Sequence, residues 1–160
     1  MASYTICDTG PLTHLSEADI LYLLEEVDEL IIPQTVYDEL REGTIPSSLT
    51  ELDYTIRSVE YSSEEHPTLD PGETAAIVLC TEIDAILLTD DLAAREVAEP
   101  LEIEVYGSLG IVLLAYARGV LTATKAKSKI RSLKRDTPLY LSDPLVEYGI
   151  QLIEDEYEGW

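Results

Sequence analysis

Four acids in this sequence lie where apolar segments give way to polar ones. Asp8 ends the run Tyr4-Thr-Ile-Cys7, and Glu39 stands in Val36-Tyr-Asp-Glu-Leu40. Glu73 closes Asp70-Pro-Gly-Glu73, and Asp91 follows Leu88-Thr-Asp90. Carboxylate oxygens with retained waters are what hard divalent ions such as Mg2+ and Mn2+ prefer. An ion so held can activate a water and stabilise the attacking and leaving oxygens of a phosphodiester. Without a cation, gathered carboxylates repel one another and some bind protons above their ordinary pKa. The chemistry at stake is metal-assisted hydrolysis, provided that the fold brings these acids together.

Each acid also has a purely structural explanation. Asp8, in Asp-Thr-Gly-Pro, can cap a turn through its side chain. Glu39 can be a solvated helix residue. Asp70-Pro-Gly-Glu73 fits a capping box, with Pro at the first helical position and Glu three after the cap. Asp90 and Asp91 can both be acids favoured at a helix start. Arg95, four after Asp91, can be its i,i+4 partner or a contact to a phosphate. Singly these signals are weak; in this order, on a chain of alternating strands and helices, they are specific.

The elements that must position the acids read as follows. The first apolar run shows almost no alternation and suits a central strand of a parallel sheet, followed by a turn. A helix is predicted from Ser16 as N-cap. Leu30-Ile-Ile32 is a second strand, and Pro33 starts a helix that Gly43 ends. In that helix Val36 and Leu40 mark the core face, Glu39 borders it and Asp38 points outward. Residues 44–56 predict a short helix and Arg57–Tyr61 an edge strand. A helix follows Glu73, Ala85–Thr89 is a fourth strand, and Asp90-Asp91 opens a helix through Ala98. Glu102–Tyr106 is a fifth strand. Three further helices are expected: one from Ser108 ended by Gly119 as a left-handed residue, one from Thr122 or Thr124, and one capped by Asp143 before Pro144. Strands alternating with helices predict one domain over residues 1–160, a three-layer α/β/α sandwich around a parallel sheet.

Composition narrows the class. The 46% hydrophobic content supports a packed core. There are 32 acids against 10 bases, a formal net charge of -22. Such a charge suits either a protein that binds cations or basic partners, or one adapted to concentrated salt, which screens self-repulsion. The acids are spread along the chain rather than confined to a tail, which favours salt adaptation. Cys7 and Cys80 lie in apolar runs and read as buried thiols of a reducing compartment. His14 and His66 share no ligand spacing, so a zinc site is not expected. No charged leader precedes an apolar stretch, and the longest strictly apolar run, Ile111–Ala117, is far short of a membrane span. The expectation is a cytoplasmic protein without a membrane anchor.

Five segments carry a resemblance to a known family: Ile6-Cys-Asp8-Thr-Gly-Pro-Leu12, Ile32-Pro-Gln-Thr-Val-Tyr-Asp-Glu39-Leu40, Asp70-Pro-Gly-Glu73-Thr-Ala-Ala-Ile77, Leu88-Thr-Asp-Asp91-Leu-Ala-Ala-Arg95 and Val105-Tyr-Gly107-Ser-Leu-Gly110. Over about residues 4 to 150 they resemble the PIN-domain ribonucleases, especially a PIN-like prokaryotic branch. The resemblance implies a sheet of order 3-2-1-4-5 and Mg2+- or Mn2+-dependent cleavage of RNA. It also implies a homodimer that acts as the toxin of a toxin–antitoxin pair, with a protein antitoxin as partner. By motif alignment, Asp8, Glu39, Glu73 and Asp91 are the catalytic and metal-binding acids, with Asp90 an auxiliary ligand. Some members carry a further acid after the fifth strand, where this chain has Gly107-Ser108. Thr9, Thr89, Arg95 and Ser108 are candidate substrate contacts.

RNA is a polyanion, and a net charge of -22 repels it at low salt. Six of the ten bases lie between Lys125 and Arg135. Among them Lys125, Lys127, Lys129 and Arg131 are candidate contacts to substrate, or else a solvated helix face pairing with the protein's own acids. Two other functions compete with an endoribonuclease. One is a non-catalytic PIN-like module contacting RNA or protein; the other is a phospho-acceptor receiver or phosphatase. The last would want its paired acids at the first strand, whereas the pair here, Asp90-Asp91, comes late.

Overall fold

Short runs of branched apolar residues, buried on both sides, need backbone partners on both edges, and a parallel sheet supplies them. The computed structural model describes residues 4–160. Its strands are β1 (Tyr4–Cys7), β2 (Leu30–Pro33), β3 (Thr55–Arg57), β4 (Ala85–Leu88) and β5 (Val105–Tyr106). They form one parallel sheet in the order β3-β2-β1-β4-β5. The helices are α1 (Thr9–Glu17), α2 (Gln34–Glu42), α3 (Pro71–Ile83), α4 (Leu92–Ala98), α5 (Ser108–Ala117), α6 (Ala123–Asp136) and α7 (Asp143–Glu154).

Successive strand residues point to opposite faces, and the core divides accordingly. Cys7, Ile32 and Leu88 pack with residues of α1, α2, α5, α6 and α7, including Leu12, Leu15, Val36, Ile111 and Ile130. Ile6, Ile31 and Leu87 pack on the other face against Ala76, Ile77, Leu79 and Cys80 of α3 and Ala98 of α4. The result is the three-layer α/β/α sandwich. Cys7 and Cys80 are free, buried thiols on opposite faces. Among the described residues no helix is long and apolar enough to cross a membrane.

Several local expectations shift. The turn expected after Asp8 is helix α1 itself. Asp8 caps it, and Pro11 falls in the first turn, where its missing N–H loses no helical bond. The helix expected from Ser16 is absent because α1 already occupies that position. The chain breaks at Asp19, with φ 58°, and resumes as a 3₁₀ turn over Leu21–Glu26. Pro33 closes β2, and α2 begins one residue later. Residues 44–56 supply a 3₁₀ turn, Ser47–Glu51, and then the true edge strand β3, which starts two residues before the predicted one. Ser142, not Asp143, caps α7. Gly119, at φ 79°, follows α5 as the left-handed residue expected there.

Candidate active site

Strand order reverses beside β1, since β2 and β3 lie on one side and β4 and β5 on the other. In open α/β sheets the carboxyl ends of the strands at such a reversal form a crevice. Cys7 and Leu88 are paired across β1 and β4, so the residues after them, Asp8 and Thr89, emerge side by side. The N-termini of α1, α2, α3, α4 and α5 meet this edge, bringing unpaired N–H groups and partial positive charge. That field is what lets a fold tolerate half-buried acids here.

The acids are joined through a chain of hydrogen bonds. Asp8, 5% exposed, accepts from Thr9 N at 2.8 Å through Oδ1 and from Thr89 Oγ1 at 2.8 Å through Oδ2. Thr89 Oγ1 in turn accepts from Asp91 N at 3.1 Å, and Asp91 Oδ2 caps α4 by accepting from Ala94 N at 3.1 Å. Glu39 reaches in from α2. Its Oε2 accepts from Thr9 Oγ1 at 2.8 Å, and its Oε1 accepts from Gly72 N at 2.9 Å. A Cβ on Gly72 would fall 2.5 Å from Glu39 Oε2, so only glycine permits this approach. Asp38 points outward and pairs with Arg41 at 2.5 Å.

Glu73 forms the helix cap that its motif predicted. The capping box with Asp70 forms, with Asp70 N donating to Glu73 Oε1 at 2.9 Å and Glu73 N donating to Asp70 Oδ1 at 2.8 Å. The Asp91 carboxyl lies close enough to that of Glu73 to act on its titration. Burial, then the Asp91 side chain, then the charges of Asp70 and Asp8 push Glu73 well above its ordinary pKa. Burial likewise raises Asp8 from 3.8 to about 6, against the lowering effect of its two hydrogen bonds. Glu39 is raised too, mainly by burial, with the charge of Asp70 adding to it. Asp70 is thus a fifth acid of the edge. Its motif revealed a helix cap, and only the packing of α3 beside α2 shows its charge bearing on the other three.

Two of the expected substrate contacts face inward. Thr89 and Ser108 are fully buried, and with Thr9 they donate their hydroxyls to Asp8, Asp90 and Glu39. They hold acids in place. Asp90 turns toward α5, where Oδ1 accepts from Ser108 N at 2.7 Å and Oδ2 from Ser108 Oγ at 2.6 Å. His14 Nδ1, from α1, lies 2.8 Å from the same Oδ2. Nothing in the spacing of His14 signalled this pairing, which spans 76 residues of chain. Arg95 forms no ion pair among the described residues and its guanidinium stands beside Gly107.

The basic segment forms α6, which packs on α5 and α7 and touches α1. Lys127 pairs with Glu154 at 3.0 Å, Lys134 with Asp143, and Arg135 with Asp136 at 2.8 Å. Lys125, Lys129 and Arg131 form no ion pair among the described residues. The expectation of internal pairing therefore describes half of the segment.

Among the described residues no three His, Cys, Asp or Glu side chains close into a chelating group. A closed protein cage is not what Mg2+ requires; it keeps several waters and takes one or two carboxylates. Glu73 and Asp91 are neighbouring acids, the Glu73 pKa being raised by burial and the Asp91 side chain, and they fit such an ion.

Comparison with known proteins agrees with the architecture. A family model described as a PIN domain, DUF3368, matches residues 4–155. Among solved structures, a PilT N-terminus domain protein from the hyperthermophilic archaeon Sulfolobus solfataricus P2 aligns with a TM-score of 0.57. It is 15% identical, and the match covers 68% of this chain and 89% of that one. At that identity the likeness concerns the fold. No curated protein matches the chain.

Proposed function

The chain belongs to the PIN-domain family, whose fold is generally that of a nuclease, and from that premise we propose a divalent-metal-dependent endoribonuclease. The observation that carries this reading is the bridge Asp8–Thr89–Asp91, in which the Thr89 hydroxyl donates to the Asp8 carboxylate and accepts from the Asp91 amide, holding the two acidic residues at one polar edge. Asp8, Glu73 and Asp91 would hold Mg2+ or Mn2+, with Glu39 beside them. When bound, the ion supplies an activated water and neutralises charge on the phosphate. The protein's part is positional. Thr9 and Thr89 orient Glu39 and Asp8, the N-termini of α3 and α4 hold the remaining acids, and Glu73, raised by burial and by Asp91, would lend its carboxylate to a bound ion. Arg95, exposed on α4 and without an ion pair among the described residues, would reach a phosphate, and Lys125, Lys129 and Arg131 would offer RNA its approach along α6. A salt-adapted setting reconciles the net charge of -22 with a polyanionic substrate. The toxin role, the antitoxin partner and the homodimer belong to the same reading.

The test is cleavage of total RNA by purified protein in high salt with Mn2+, beside Asp8→Ala. Fragments produced by the wild type and absent with Asp8→Ala support the assignment; equal products from both would sink it. A non-catalytic module is favoured by one observation, the lack of a closed chelating group. It predicts retarded RNA mobility without fragments, and equal retardation by Asp8→Ala.

A further inference from the structure

Asp90 adjoins a proposed ligand in sequence, yet its carboxylate is engaged elsewhere. Its side chain is 7% exposed. Oδ2 accepts from both Ser108 Oγ and His14 Nδ1, at 2.6 and 2.8 Å, while Oδ1 accepts from Ser108 N at 2.7 Å. A carboxylate has about four acceptor positions, and both on Oδ2 are filled. Oδ1 is walled by Gly107, where a Cβ would fall 2.7 Å away. The three partners come from separate elements: His14 from α1, which opens on the Asp8 cap, Ser108 from the start of α5, and Asp90 from the segment after β4. That segment also carries Thr89, which holds Asp8 and the amide of Asp91.

We propose that Asp90 is a clamp rather than a metal ligand, and that His14 and Ser108 are positioning residues that fix the Thr89–Asp91 segment against Asp8 through it. The glycine at position 107 is then explained. The space is taken by the carboxylate of Asp90, reaching across from the neighbouring strand end, and glycine is there to admit it. The kinetic arm of the test rests on the nuclease reading; the binding and exchange arms do not.

Mn2+ affinity by calorimetry, amide exchange of the metal-free protein and steady-state RNA cleavage would be compared across Asp90→Asn, Asp91→Asn, His14→Ala, His14→Asn and Ser108→Ala. Asp90→Asn and His14→Ala are expected to keep Mn2+ affinity within about threefold, and Asp91→Asn to lose it by about tenfold or more. In His14→Ala the amides of Asp91 and Ser108 exchange about tenfold faster, and kcat falls about tenfold with KM unchanged. His14→Asn, whose side-chain amide can donate from near the Nδ1 position, restores both. Ser108→Ala, which keeps the backbone donor, repeats the exchange effect should His14→Ala fail to fold. A loss of Mn2+ affinity in Asp90→Asn equal to that in Asp91→Asn makes Asp90 a ligand and overturns the proposal. So does unchanged exchange in both His14→Ala and Ser108→Ala. A wild type that binds Mn2+ without cleaving RNA removes the nuclease reading, while affinity and exchange still decide the clamp.

Discussion

At Asp8 the competing effects can be ranked. Two hydrogen bonds favour the carboxylate, but burial and the charges of Asp70 and Glu39 oppose it, and the balance leaves the pKa near 6 instead of 3.8. The unfolded chain gives up that proton about two pH units earlier than the folded one. Between pH 4 and 6 the folded state therefore binds more protons, and its stability falls as pH rises. The cost at Asp8 is about 3 kcal/mol once the group is ionised, and Glu73, also raised, extends the loss to higher pH. In chelator, the melting temperature should drop steadily from pH 4.5 to pH 8, and Mn2+ should flatten that slope by stabilising the ionised acids. Asp8→Asn should raise the melting temperature of the metal-free protein at pH 7.5 and remove most of the rise that Mn2+ produces. A pH-independent melting temperature in chelator would contradict the balance drawn here.

The elements matter because five helix starts converge where three of the acids titrate high. The N-terminus of α3 is the hub. Pro71 has no N–H to satisfy, Gly72 N goes to Glu39 and Glu73 N to Asp70. This arrangement makes Gly72 a functional glycine by close approach. In Gly72→Ala the methyl would meet the end of a flexible side chain, so Glu39 moves and the helix does not. The expected outcome is a change in stability within about 1 kcal/mol together with a loss of RNA cleavage of about tenfold or more. Urea melts and cleavage rates on the same preparation check it. A large stability loss would show that the backbone, not Glu39, gives way.

For the molecule as a whole, charge outweighs any single contact. With a net charge of -22 and half of the α6 cations already paired internally, repulsion between surface acids is long-ranged in dilute buffer. The screening length shortens from about 10 Å at 0.1 M to about 3 Å at 1 M salt. The melting temperature in KCl should therefore climb by several degrees between those concentrations, in the presence of chelator so that site binding does not contribute. A flat profile would argue against salt adaptation.

The order of the acids, the alternation of strands with helices, Gly119 as a left-handed stop and Glu39 as the inward member of its pair were legible in the sequence. Each depends on residues within a turn or two, or on a periodicity that local sterics impose. Helix α1 stands where a turn was expected, and the start of β3 and the caps of α2 and α7 differ by one or two residues, because an element's end is settled by the packing around it more than by its own residues. The charge of Asp70 within the edge, the pairing of His14 with Asp90 and the inward turn of Ser108 belong to the tertiary structure alone. They join residues far apart in the chain, and no local preference encodes a contact that exists only once β4 lies beside β1.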